Sequence, residues 1–193
     1  VTLSLIENPT TTCSSVVTNA ATIVVNPLPV LTSVTGNGPI CSGEDAIFTL
    51  VGTPNTTVNC TVNGNVEAIA LDVSGNGSFT VIGATANQTI VLTSIVNPAT
   101  TCSVVLTNTA TITVNPLPEI TSLTTNSPIC EGEDAVFTLV GTPNTTVSYT
   151  ITGVGATQTV LLDASGNGTI TAAAVTVDQT VTLSFIENTT TNC

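Results

Sequence analysis

The eleven-residue segment FTLVGTPNTTV occurs twice without change, at Phe48–Val58 and at Phe137–Val147, 89 positions apart. Repetition at that distance restricts the chain to folds built from one domain-sized unit used in series. VNPLP at Val25–Pro29 and Val114–Pro118 keeps the 89-residue offset, and so do Cys41 and Cys130. LDVSGNG from Leu71 meets LDASGNG from Leu162 at an offset of 91, so the later copy gains two residues between these landmarks.

Residues 1–26 match the end of the unit. LSLIENPTTTCSSVVTNAATIVVNPLP aligns with LTSIVNPATTCSVVLTNTATITVNPLP and, in part, with the closing LSFIENTTTNC. The expected organisation is the C-terminal strands of a preceding repeat at 1–26, a complete repeat at 27–115, and a repeat lacking its last strand at 116–193. The chain reads as a window on a longer array.

Within a copy the apolar period is two. Ala135, Phe137 and Leu139 share one face, as do Val147, Tyr149 and Ile151, and Val181, Leu183 and Phe185. Thr and Ser fill much of the other face, while Gly, Pro and Asn mark turns. About seven short strands per copy at this spacing predict an all-β fold. Its expected form is a tandem, extended array of immunoglobulin-like antiparallel β-sandwiches, with fibronectin-like or PKD-like variants of the topology left open.

Charge narrows function. The 193 residues include twelve Asp and Glu and no Lys, Arg or His, a formal net charge of −12. Such a chain cannot replace counterions along a phosphate backbone, so no nucleic-acid partner is expected, nor attraction to anionic membranes. It lacks an imidazole base, a Schiff-base lysine and an arginine clamp. Paired carboxylates could in principle hydrolyse glycosides, but no element of the sequence orders two of them across a cleft. No catalytic residue is assigned and no enzymatic activity is expected. No apolar run reaches the roughly 18 residues of a membrane span, so direct membrane insertion is not expected either.

Five of six cysteines occupy two repeating positions. Cys41 and Cys130 precede the Phe48 and Phe137 strands, whereas Cys13, Cys102 and Cys193 follow the strand ending near IENP, IVNP or IENT. One bond per repeat predicts Cys41–Cys102 and Cys130–Cys193, with Cys13 pairing outside the chain. Each would close a loop of about 60 residues, worth roughly 4 kcal/mol in the chain-entropy model. That chemistry implies an oxidising, extracellular compartment. Cys60 stands where the other copy has Tyr149 and is expected to be a buried free thiol in an aromatic's place.

Two weaker motifs remain. Asp72, Ser74 and Asn76, repeated as Asp163, Ser165 and Asn167, fit D-x-S-x-N-G, a relative of calcium loops. With one carboxylate and no bidentate Glu downstream, a hairpin turn is the expected reading, so no cofactor is assigned and no metal site is favoured. Glu44, Asp45, Glu131, Glu133, Asp134 and Glu119 read as solvated loop charge. The joint residues Asn26, Pro27, Leu28 and Pro29, with Asn115, Pro116, Leu117 and Pro118, lie between the last strand of one copy and the first of the next. Their prolines fix φ and remove donors, which predicts a short stiff joint.

NPLPEITSLTTNSPICEGEDAVFTLVG, the later TTTCS or TTNC, and the closing TITVNP resemble the repeated Ig-like or PKD-like modules of giant Bacteroidetes cell-surface adhesins, in particular the SprB-like gliding-motility adhesins. The resemblance covers the whole chain. It implies export by type IX secretion, an extracellular location on the bacterial surface, and partnership with the secretion and gliding machinery. The corresponding function is a structural and adhesive stalk whose nearest partners are neighbouring repeats. Two other readings are a glycan- or polymer-binding module, and a fibre subunit in which residues 1–26 supply the strand the last copy lacks.

Overall fold

The computed structural model describes residues 1–193 as strands, turns and loops without a helix. Alternation governs the backbone. Along Ala46–Gly52, Ala46, Phe48 and Leu50 are fully buried while Ile47 and Thr49 face solvent.

Strands β1 (Leu5–Glu7) and β2 (Ser14–Val16) form an exposed hairpin. The next ten elements are β3 (Leu31–Gly36), β4 (Ile40–Cys41), β5 (Ala46–Gly52), β6 (Thr57–Val62), β7 (Asn65–Ala70), β8 (Asn76–Val81), β9 (Gln88–Val96), β10 (Ser103–Val105), β11 (Thr109–Ile112) and β12 (Val114–Asn115). One sheet has the order β3-β5-β8, and the facing sheet runs β10-β9-β6-β7 with β11 also on β9. All these pairings are antiparallel, whereas β4 pairs with β12 in parallel. With β3 and β4 taken as one interrupted strand and β10 to β12 as another, this is a seven-stranded immunoglobulin-like sandwich.

The second sandwich repeats the pattern with β13 (Ile120–Thr125), β14 (Ala135–Gly141), β15 (Thr146–Ile151), β16 (Val154–Leu161), β17 (Asn167–Ala172) and β18 (Val181–Glu187). Its sheets are β13-β14-β17 and β16-β15-β18. Even the irregularities recur, with register shifts at Leu31/Ser33 and again at Ile120/Ser122. The β1–β2 hairpin belongs to the same series. Leu5 faces Val16 and Thr2 faces Ala20, which are the partners of Ser94 with Val105 and Val91 with Thr109 displaced by 89 residues.

Each sandwich has its own core. The first buries fourteen residues around Phe48, Leu50, Ile90, Leu92, Ile95 and Ile112. The second buries eight around Phe137, Leu139, Val147 and Tyr149. The smaller second core follows from the strands it lacks. In the first sandwich Ile112 is fully buried and lies over Gly36 and Gly38, so close that a Cβ on Gly38 would come within 2.9 Å of it. The corresponding place in the second sandwich is an open groove of about 620 Å³ beside Asn126, Pro128, Ile129, Phe137, Val175 and Val177.

Turn chemistry is equally specific at Gly75 and Gly166. Both have positive φ (82° and 81°). A Cβ at either would sit 2.1 Å from the carbonyl oxygen of Gly52 or Gly141, so a side chain is excluded by space as well as by conformation.

Ile112→Ala should lower the stability of the first sandwich by about 2–5 kcal/mol, because the emptied space is walled by backbone that cannot collapse. Urea unfolding followed at the two cores should show the second sandwich's transition unmoved; a common shift of both would mean that the cores unfold as one.

Candidate functional site

The residues with most to do beyond packing surround the cysteines at the junction between the sandwiches. The turn carrying the second repeating cysteine is built alike three times. The Asn8, Asn97 and Asn188 amides donate to the carbonyls of Cys13, Cys102 and Cys193 at 2.9, 2.9 and 2.7 Å. The Oδ1 atoms of the same asparagines accept the amides of Thr10, Ala99 and Thr190, each at 3.0 Å. The residue before each cysteine, Thr12, Thr101 or Asn192, is left-handed, with φ of 55°, 59° and 56°. Such a conformation is uncommon outside glycine and costs energy for a β-branched Thr.

The first repeating cysteine has its own cradle. The Cys41 amide donates to Glu44 Oε2 at 2.8 Å and the Cys130 amide to Glu133 Oε2 at 2.7 Å. The Gly43 amide donates to the Ala84 carbonyl and the Gly132 amide to the Val175 carbonyl, both at 2.8 Å. Asp45 Oδ1 accepts the Gly83 amide and Asp134 Oδ1 the Ala174 amide, both at 2.9 Å. These carboxylates are structural acceptors, a role that the reading as solvated loop charge missed. The signal was present in C-x-G-E-D, shared at Cys41–Asp45 and Cys130–Asp134.

Cys41 is bonded to Cys193, with Cα atoms 5.5 Å apart and 152 residues between them in sequence. Cys13, Cys102 and Cys130 are free. The expected pairs Cys41–Cys102 and Cys130–Cys193 are therefore corrected, and the reason is geometric. Asn115 faces Cys41 in the β12–β4 pairing, next to the Gln88 end of β9, where Gln88 faces Ile112. Cys102 precedes Ser103, which faces Val96 at the opposite end of β9. Eight residue steps of strand separate the two ends, about 25 Å, several times the span that a disulfide bridges. Equal spacing in sequence concealed opposite ends of one sandwich.

The joint lies on the same interface. The Ser42 amide donates to the Asn115 carbonyl at 2.8 Å, tying the segment back to the first sandwich. The Glu119 amide donates to Thr142 Oγ1 and the Thr142 amide to the Glu119 carbonyl, each at 2.9 Å, tying it onward to the second. Only Pro116, Leu117 and Pro118 lie between these anchors, and two of the three have φ fixed by their rings. In the earlier copy Thr53 makes the equivalent clasp on Val30, while Asn26, Pro27 and Leu28 are exposed and Pro29 is buried.

The D-x-S-x-N-G motifs form turns in which the carboxylate is occupied by backbone. Asp72 Oδ1 accepts the amides of Ser74 (2.7 Å) and Asn76 (2.9 Å), and Asp163 Oδ1 accepts those of Ser165 (2.8 Å) and Asn167 (2.9 Å). These hydrogen bonds hold both carboxyls below the usual aspartate range, the Asn76 and Asn167 amides having the largest effect.

Cys60 is buried in the first core, and its thiol faces the Glu67 carbonyl at 3.7 Å. Burial first, and the Glu67 charge second, push its pKa up, which disfavours the thiolate. Tyr149 at the matching position donates from its hydroxyl to Gln158 Oε1 at 2.9 Å. Phe48, Phe137 and Tyr149 are buried and Phe79 is half-buried, so Phe185 is the one exposed aromatic and no aromatic platform is assembled.

No family model matches the chain, and no characterised protein matches it in sequence. Among solved structures it is similar to a Ca2+-stabilized adhesin that helps an Antarctic bacterium reach out and bind ice (16% identity, 80% of this chain and 48% of that one, TM-score 0.41). It is similar also to a 1.5-MDa bacterial ice-binding adhesin (15% identity, 83% and 58%, TM-score 0.45) and to the titin domains z1z2 (16% identity, 83% and 95%, TM-score 0.38). The chain thus spans about half the length of the two adhesin structures. These likenesses are distant, and the sandwich topology rests on the strand register of this chain.

The lowered aspartates give a pH prediction. Their folded pKa values lie below the unfolded value of about 3.9, so their contribution to stability is complete above that pH and is lost as pH falls through the folded values. Melting midpoints should therefore decline below about pH 4, and Asp72→Asn with Asp163→Asn should flatten that decline; an unchanged slope would remove these turns as its source.

Proposed function

We propose that the chain is a stalk segment of a very long, repetitive cell-surface adhesin, divided into repeats at 27–115 and 116–193, that holds a binding region away from the cell. The observation that carries this reading is the double connection between successive sandwiches. A three-residue, two-proline crossing joins them in sequence, and Cys41–Cys193 joins them again through space. Two separated attachments restrict bending and twisting far more than one, as a stiff rod requires and a solitary binding domain does not. The longest strand, β9, has nine residues, so a module is at least about 30 Å long and many copies would reach far from a surface. The disulfide favours an extracellular location.

The resemblance of NPLPEITSLTTNSPICEGEDAVFTLVG to gliding adhesin modules supports the finer reading, in which the adhesin is exported by type IX secretion and driven along the cell. Beads coated with antibody to this chain should bind intact source cells and be carried along them. Beads that bind and stay still would leave the stalk but remove gliding, and a label confined to broken cells would remove surface display.

The stalk reading also makes a mechanical prediction. In solution scattering the oxidised chain should have a maximum dimension of at least about 60 Å, two modules end to end with residues 1–26 preceding them. Pro116→Gly with Pro118→Gly should change that profile little while Cys41–Cys193 is intact and broaden it after reduction. Equal broadening in both states would show that the disulfide does not restrain the joint.

A further inference from the structure

The one disulfide and the three free repeating cysteines follow a single rule. Cys41 is the first cysteine of its repeat, and Cys193 is the second cysteine of the repeat that follows. Under that rule Cys130 requires the second cysteine of a further repeat, while Cys102 and Cys13 require first cysteines of repeats preceding theirs. None of those partners lies within residues 1–193, and Cys13, Cys102 and Cys130 are the cysteines left free apart from buried Cys60. We propose that Cys102 and Cys130 are intermodule cross-linking sites, each taking the thiol of an adjoining repeat of this same sequence type, so that every joint carries the staple seen at Cys41–Cys193.

Local geometry supports the rule independently of the count. The free Cys102 and Cys13 turns have the hydrogen bonds and left-handed residue of the bonded Cys193 turn. Thr101 before free Cys102 is left-handed as Asn192 is before bonded Cys193, so the two turns present their cysteines alike. The free Cys130 has the Glu133 cap that Cys41 has from Glu44. Cys130 is exposed at the rim of the open groove, where a final strand would do for it what β12 does for Cys41. Cys102 is partly accessible at the opposite end of its sandwich.

Closure needs an oxidant, either a small disulfide or a dithiol–disulfide oxidoreductase outside the cytoplasm. One cysteine thiolate attacks the oxidant's disulfide and forms a mixed disulfide. The second thiolate attacks the protein sulfur of that mixed disulfide and expels the oxidant's remaining sulfur. The pair loses two protons and two electrons, and the oxidant gains them as two thiols.

The ladder rests on the repeat reading of the chain but is tested by thiol connectivity, which neither module shape nor surface display reports. Unfolded without reductant, the chain should expose four thiols, Cys13, Cys60, Cys102 and Cys130. Pairing within repeats would leave two, Cys13 and Cys60. Cys41→Ser should free Cys193 and leave Cys102 and Cys130 as they were; release of Cys102 instead would overturn the rule. Propagation is read from a chain lengthened after Cys193 by a copy of residues 103–193 carrying Ile129→Val, which supplies the final strand and one further repeat whose first-cysteine peptide differs in mass from the ITSLTTNSPICE of Cys130. Mapping with a glutamate-specific protease, since the chain offers trypsin no Lys or Arg, and fragment sequencing to separate Cys13 from Cys41 on the shared peptide 8–44, should join Cys130 to the last cysteine of the added repeat and keep Cys41–Cys193. A Cys130–Cys193 bond, or Cys130 left reduced while Cys41–Cys193 persists, would overturn the ladder.

Discussion

The parallel pairing of Ile40–Cys41 with Val114–Asn115 determines what can be joined to what along this chain. An element that leaves the first sheet and pairs in parallel with the last strand must travel toward the end from which the chain exits the sandwich. Cys41 is thereby delivered beside the joint. Strand β9 runs antiparallel to β11, so the turn after β9 lies at the entrance end. The exit end of one repeat meets the entrance end of the next, and a first cysteine finds the second cysteine of its successor. Loop size does not choose the pairing. In the chain-entropy model a 152-residue loop is worth about 1 kcal/mol more than one of about 60 residues, whereas a gap of about 25 Å within a repeat forbids the shorter loop outright.

Much of this fold was legible in the sequence because its signals are local. Alternation at Ala135–Leu139 specified which side chains enter the core, and all three are buried. Asp72 and Gly75 specified a turn through a carboxylate and a residue tolerant of positive φ. The disulfide was not legible, since pairing depends on which end of a sandwich a residue reaches, and that follows from strand direction and from β4 switching partners. Neither leaves a periodicity. The roles of Glu44 and Glu133 fall between these cases. The repeated C-x-G-E-D marked them, but an exposed acid on a loop looks the same in sequence whether water or a backbone amide satisfies it.

The absence of Lys, Arg and His, beside twelve carboxylates, explains why covalent and backbone devices recur at the junction. With no cationic side chain available, a carboxylate finds fixed donors chiefly in backbone amides, and Glu44, Asp45, Asp72, Glu133, Asp134 and Asp163 all use them. Asn and Thr do similar work without charge, as the Asn97 turn and the Thr142 clasp show. Successive repeats of this composition repel one another and cannot dock through complementary charge. Screening to a Debye length of about 8 Å at physiological salt weakens that repulsion without turning it into attraction. A fixed arrangement of such modules must come from apolar contact or from covalent geometry. The large apolar side chains of the joint, Leu28 and Leu117, are exposed, and of its prolines Pro29 alone is buried. The load therefore falls on the prolines and the disulfide, and a bond between sulfurs is indifferent both to salt and to the sign of the charge around it.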